Sequence, residues 1–255
     1  MWGGYMGKGL LGSLELNRIY QMDCLEGMKL IPDKSIDMIL CDLPYGTTRN
    51  KWDSVIPLDK LWKQYERVIK DNGAIVLTSQ QPFTTKLIQS NIKLFRYEWI
   101  WHKSTKTGFL NAHRQPLKNH ETICVFYKKL PNYQPQTDKC EKINRRGKIG
   151  TNYMENYANE YIQKEENYPT SIIFFKSESK PLHPTQKPVQ LFEYLIKTYT
   201  KEGDIILDNC IGSGTTAIAA TISHRRWLGF EIEPKYIEIS NKRLDAIQLE
   251  DDLKQ

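Results

Sequence analysis

The stretch DIILDNCIGSGTTAIAA, Asp204–Ala220, runs from a short apolar segment through an acid and two glycines into a row of small residues. Its first part reads as a buried strand and its last part as the start of a helix. Gly212 and Gly214 allow the turn between them to be tight and let a ligand approach the backbone at the helix N-terminus. Two phosphate-centred readings fail on the residues. A P-loop places Lys after its last glycine, where Thr215 stands, and a dinucleotide fingerprint needs a third glycine, which Ala217 and its neighbours do not supply. What remains is Asp208 at a strand end, a G-x-G turn, and a second strand, RWLGFEI, carrying Glu231 roughly twenty residues on.

A carboxylate at Glu231 suits ribose hydroxyls, and Asp208 suits a positively charged ligand group where it would repel a phosphate. S-adenosylmethionine, with its ammonium, sulfonium and ribose, fits that charge pattern. An ordinary strand–helix turn with Asp208 as a cap accounts for the same residues.

Outward from this unit, strands alternate with helices. NRIYQMDC, SIDMILCD, GAIVLTS, YEWIWHK and ETICVFYKK read as strands, SIDMILCD being nearly continuous in apolar residues, as a central parallel strand is. LDKLWKQYERVIK carries apolar residues at helical spacing and stops before Asp71-Asn72-Gly73. PFTTKLIQSNI, PVQLFEYLIKTYT and PKYIEISNKRLDAIQLE read as further helices. The alternation predicts a doubly wound α/β sheet. From residue 130 to 182 the pattern lapses into a segment rich in Asn, Tyr, Lys and Gln without a clear period, an inserted module or a loop.

Bulk properties narrow the class. The 255 residues suffice for one large domain with surplus, and 40% hydrophobic with 26% charged residues is ordinary for a globular protein. A net charge of +6 suits a polyanionic partner. Five cysteines without a C-x-x-C pair speak against a disulfide framework or zinc ribbon and for a reducing compartment. No stretch approaches the ~18 apolar residues of a membrane span, and MWGGYMGKGLLGSLE does not have the form of a secretion signal. The expectation is a cytoplasmic protein, with residues 1–18 a loosely held extension.

The strand SIDMILCD ends in DLPYGTT, which sets Asp42, Pro44 and Tyr45 together. Acid and proline favour turns and alone would explain such an ending. A second polar stretch, HPTQKP from His183 to Pro188, leads into the helix before Asp204. Together DLPY, the irregular middle, HPTQKP and CIGSGTT, in that order, resemble a DNA amino-methyltransferase of the beta arrangement (the N4-cytosine and N6-adenine family) over roughly residues 19–249. Leu43 stands where the family has a first proline, and Cys210 where it has Phe.

The resemblance implies a Rossmann-like, mostly parallel methyltransferase sheet. Residues 19–129 would form a catalytic half, 130–182 a target-recognition segment and 183–255 a cofactor-binding half. It implies S-adenosylmethionine as cofactor, no metal, double-stranded DNA as partner, and a bacterial or phage origin; it allows a homodimer and a cognate restriction endonuclease. Asp42 and the Pro44 carbonyl would each accept an N–H of the target amine, and Tyr45 would stack on a flipped base. The acid at position 42 favours N6 of adenine, where Ser is usual in enzymes acting on cytosine. Asp23, Cys24, Asp42, His183, Thr185, Lys187, Asp208, Gly212, Ser213, Gly214, Thr215, Thr216 and Glu231 would surround the cofactor. Lys103, Lys106, His113, Arg114 and Lys118, expected in a loop, suit phosphate contacts, and Arg145, Arg146 and Lys148 suit phosphate contact or base reading.

Overall fold

The computed structural model describes residues 9–46, 54–145, 160–178, 182 and 186–252. A small hairpin, β1 (Leu10–Leu11) with β2 (Leu14–Glu15), precedes β3 (Arg18–Gln21), α1 (Cys24–Lys29), β4 (Ile36–Asp42), α2 (Leu58–Val68) and β5 (Ile69–Ser79). Then come α3 (Phe83–Ser90), β6 (Phe95–Thr107), a 3-10 turn (Phe109–Asn111) and β7 (Lys118–Phe126). β8 (Asp138–Arg145), β9 (Glu160–Glu166) and β10 (Ile172–Phe175) follow, before α4 (Val189–Tyr199), β11 (Ile205–Asp208), α5 (Thr215–Ile222), β12 (Arg226–Glu231) and α6 (Pro234–Asp252).

Eight strands form one sheet in the order β10-β6-β7-β5-β4-β11-β12-β3. Every neighbouring pair is parallel except the two that β7 makes with β5 and β6. Period-2 alternation in β4 explains how both faces are covered. Ile39 and Cys41 enter a core with residues of α1, α2 and α3, while Met38 and Leu40 enter a second core with residues of α4 and α5. The sheet is thus doubly wound, as the alternation predicts.

β4 and β11 lie side by side. From β4 the chain crosses one face through α2 to β5, and from β11 it crosses the other face through α5 to β12. The two strand ends, Asp42 and Asp208, therefore border the crevice that opens where crossovers leave in opposite directions, the place where open α/β sheets bind ligands.

Two corrections concern the middle of the chain. Lys103 and Lys106 lie in β6 and Lys118 opens β7, so the expected basic loop shrinks to the turn between these strands. The 130–182 segment also has regular structure. Pro135–Thr170 is a separate compact unit in which β8 and β9 form an antiparallel pair, and β10 adds a parallel edge strand to the main sheet.

Two glycines show what the close packing requires. Gly214 caps α5 at φ +80°, and a Cβ there would come within 2.9 Å of the Ser240 Cβ. A Cβ on Gly27 in α1 would lie 2.4–2.8 Å from three ring carbons of Phe230, an aromatic that cannot yield as a flexible chain end can. Helix propensity favours Ala over Gly by about 1 kcal/mol, and overpacking costs about 1–3 kcal/mol. Gly27→Ala should therefore destabilise, by about 1 kcal/mol on balance, seen as a lower urea midpoint at unchanged slope.

Candidate active site

A cavity of about 570 Å³ opens over the ends of β4 and β11. Asp42, Pro44, Tyr45 and Lys187 line one part of it; Asp23, Cys24, Asp208 and Glu231 line another, with Gly212 hydrogen-bonded to Glu231 and Thr216 to Asp208, and Ser213 and Thr215 are also in the wall. Gly214 is not in the wall and serves as the α5 cap. His183 and Thr185 lie outside the described residues, as do Arg146 and Lys148.

Asp42 is the last residue of β4, in register with Thr78 of β5. Its Oδ1 accepts from the Tyr45 hydroxyl at 2.6 Å and from the Thr78 hydroxyl, and its Oδ2 accepts from Lys187 Nζ at 2.6 Å. A carboxylate offers about four lone-pair positions, so three donors leave Asp42 room for one more. The Tyr45 ring stacks on Phe83, centroids 5.4 Å apart, and the Lys187 ammonium lies 5.7 Å from its centre.

Lys187 is only 5% exposed. Its ammonium also lies 3.3 Å from Glu121 Oε2, and Glu121 Oε1 accepts from Lys103 at 2.9 Å. That Oε2 contact is ionic without hydrogen-bond geometry. Burial alone would lower the Lys187 pKa, but Asp42 and Glu121 outweigh it and raise it. Glu121 is the mirror case, where burial pushes the carboxyl up and the two lysines more than reverse it. Two acids and two ammonium groups thus neutralise one another beside Asp42. Lys103, expected at a phosphate, is committed to this pair, while Lys118 donates to Gln80 at 2.8 Å. Lys106, His113 and Arg114 are exposed, and Arg145 ends β8 in the separate unit.

The other end of the cavity is electrostatically different. Asp208, 3% exposed, accepts from the Cys210 N–H at 3.0 Å and from the Thr216 hydroxyl. Glu231 accepts from the backbone of Gly212, Ile232 and Glu233 at 2.8–2.9 Å. Asp23 caps α1 by accepting from Leu25 and Glu26. Among the described residues no Lys or Arg forms an ion pair with these three acids. Burial raises the Glu231 carboxyl and pushes Asp208 up to about 6. Such an end can receive a cationic group and hydroxyls, with the glycine turn giving close access to the backbone. Among the described residues no three His, Cys, Asp or Glu side chains group as metal ligands.

Sequence reasoning missed Thr78, Glu121 and Asn209, whose amide oxygen accepts from the buried Tyr65 hydroxyl. Glu121 carried one signal, an acid opening the apolar run ETICVF. Because β7 runs against its neighbours, its start lies at the rim where their ends lie.

Two stability outcomes follow from these environments. Lys187→Met would leave the half-buried Asp42 without its cation and Glu121 with Lys103 alone, and should cost about 3 kcal/mol, the low end for breaking a buried pair. Since its pKa is raised in the fold, the Lys187 contribution is complete below the ordinary ammonium pKa and fades as pH climbs through the raised value. Asp208 has the opposite sense. Between about pH 4, its unfolded value, and about 6 the folded protein holds a proton that the unfolded chain has released. Stability therefore falls as pH rises through that window. Asp208→Asn should stabilise the unliganded protein by about 1–3 kcal/mol at pH 7–8, a gain that vanishes near pH 4 in thermal melts at stepped pH.

Comparison with known proteins gives a consistent picture. A family model described as DNA methylase matches residues 36–242. The type II methyltransferase M.HinfI of Haemophilus influenzae is 29% identical, over 91% of this chain and 69% of its own length. The DNA adenine methyltransferase YhdJ of Escherichia coli K12 is 28% identical, over 91% of this chain and 84% of its own. The crystal structure of the M1.HpyAVI–SAM complex superposes with a TM-score of 0.63 at 24% identity, covering 89% of this chain and 98% of that one.

Proposed function

The chain belongs to the DNA methylase family, and on that premise we propose that it moves a methyl group from S-adenosylmethionine to N6 of an adenine flipped out of duplex DNA. The observation that carries this reading is the cavity's division into a charge-neutralised end around Asp42 and an end whose acids lack ion-pair partners.

The un-neutralised end fits the cofactor. Asp208 answers the ammonium-bearing methionine part, Glu231 the ribose hydroxyls, and Asp23 and Cys24 lie by the adenine. Bound there, S-adenosylmethionine supplies an electrophilic methyl on a sulfonium. The relative solved with SAM has the same fold.

At the other end, an adenine amine is a poor nucleophile because its lone pair is delocalised into the ring. Asp42 accepts one N–H through its remaining lone-pair position, and the Pro44 carbonyl accepts the second. Held so, the nitrogen turns toward tetrahedral geometry and directs its lone pair at the methyl. Transfer of the methyl would leave the nitrogen with one proton in excess, which Asp42, already accepting that N–H, would take up and pass to solvent. Tyr45 offers its ring face to the extruded base. The hydrogen bonds from Thr78 and Lys187 fix Asp42, so its orientation exists before substrate arrives.

Lys106, His113 and Arg114 supply phosphate contacts, and the Pro135–Thr170 unit, with Arg145, reads the sequence. A companion restriction endonuclease is in keeping with the type II relatives. Among the described residues no helix is long and apolar enough to cross a membrane.

Nucleoside mass spectrometry of DNA from expressing cells tests the reading. N6-methyladenine is expected; N4-methylcytosine would keep the family and overturn the choice of base. Asp42→Asn should lower turnover by about 10²–10³-fold while cofactor binding survives, and Glu231→Gln should weaken cofactor binding by about 1–3 kcal/mol. Near-normal turnover in the first, or unchanged calorimetric affinity in the second, removes the corresponding role.

A further inference from the structure

The inward row of β6 runs from Trp101 through Lys103 and Thr105 to Thr107, all in the cavity wall. Six residues of strand span about 20 Å, from a buried floor to an exposed rim. Thr107 pairs with Lys118 of β7, and residues 108–117 double back directly beyond that pair.

This turn is orderly. Gly108 enters it at φ +93°, and Phe109–Asn111 form one 3-10 turn. The Asn111 N–H donates to the Gly108 carbonyl at 2.9 Å, Ala112 to Phe109 at 3.1 Å, and Arg114 and Gln115 to Asn111 at 2.9 and 3.0 Å. With its backbone groups bonded locally, the turn holds a defined shape without burying a side chain. Yet it presents Phe109 at 66% exposure and Leu110 at 101%. Lys106, His113 and Arg114, all exposed, flank the pair. A fully exposed Leu beside an exposed Phe on an ordered turn contributes nothing to the core. Its setting points to a partner that is anionic outside and apolar inside, and that reaches the cavity mouth.

We propose that Phe109 and Leu110 form a wedge that enters the DNA duplex beside the target nucleotide and occupies the space the flipped base leaves. Stacked bases are the apolar interior that such side chains can enter, and apolar wedges between base steps are a recurrent means of unstacking a duplex. The flanking Lys106 and Arg114 meet the phosphates on either side, and His113 adds a hydrogen-bonding group. The distance along β6 from rim to floor lets the wedge stay in the helix while the base reaches Asp42. This inference rests on the base-flipping reading above.

The test uses a duplex carrying the methylated site, and the same duplex with a mismatch opposite the target adenine, where extrusion is cheap. Phe109→Ser/Leu110→Ser alters only exposed side chains; its melting temperature and S-adenosylmethionine affinity should match wild type. On the matched duplex kcat/KM should fall about 10- to 100-fold, the range for lost apolar contact with one base. On the mismatched duplex most of the loss should disappear. Fluorescence of 2-aminopurine at the target, rising when wild type binds, should rise less with the variant. Wild-type rates on the matched duplex, or an equal loss on both duplexes, would overturn the wedge. 2-Aminopurine has no 6-amino group to methylate, so turnover is read on the adenine duplex. If wild type methylates that duplex and binds its 2-aminopurine counterpart without a rise in fluorescence, the flipping reading itself fails, and the wedge with it.

Discussion

The bond between Lys187 and Asp42 joins residues 145 positions apart, and the rest of the site is arranged around it. Asp42 ends the central strand; Lys187 stands two residues before α4, which packs on one face of the sheet. Burying one ammonium against one carboxylate is at best a balanced exchange of solvation for attraction. The pair is supported because each partner has further company. Asp42 has the hydroxyls of Tyr45 and Thr78, and Lys187 has Glu121. Glu121 in turn draws in Lys103. The four charges form a chain whose members would be costly to bury singly.

That arrangement separates two demands on one cavity. In the proposed function Asp42 accepts from a neutral amine and needs fixed orientation, which its bonds to Tyr45, Thr78 and Lys187 supply. In the proposed function Asp208 and Glu231 receive a cationic ligand and so need to lack a cation of their own; they are held by a hydroxyl and backbone N–H groups instead. Neutral donors steady a carboxylate without cancelling its charge. The price is the raised pKa of both acids, which burial pushes up.

Most of the frame was legible in the sequence because burial on both faces leaves a mark. Apolar continuity in β4 and β5, and helical spacing in α2 and α4, follow from where these elements pack. Asp42, Asp208 and Glu231 were legible because acids ending apolar strands stand out. Glu121 was not, since recognising it requires knowing that β7 runs backward, and strand direction is fixed by pairing across the sheet. The basic stretch Lys103–Lys118 reads as a loop because it lacks a run of alternating apolar residues; cross-strand bonds, absent from any local pattern, make its two ends strands. The strands β8 and β9 escaped notice because their pairing buries too little apolar surface to impose alternation.

The order of strands also bears on how the chain comes into being. β3, near the start, has β12 as its neighbour, with Arg18 opposite Leu228 about 210 residues later. At roughly 5–20 residues per second of synthesis, the first strand of the sheet waits on the order of 10–40 seconds for its partner. Through that interval Ile19 and Tyr20 lack the surface they later pack against. β11, whose end carries Asp208, also arrives after the strands on the far side of β4 have been made. The crevice between Asp42 and Asp208 therefore has only one of its two walls until β11 has been made and pairs with β4, although β4 to β7 are all present long before.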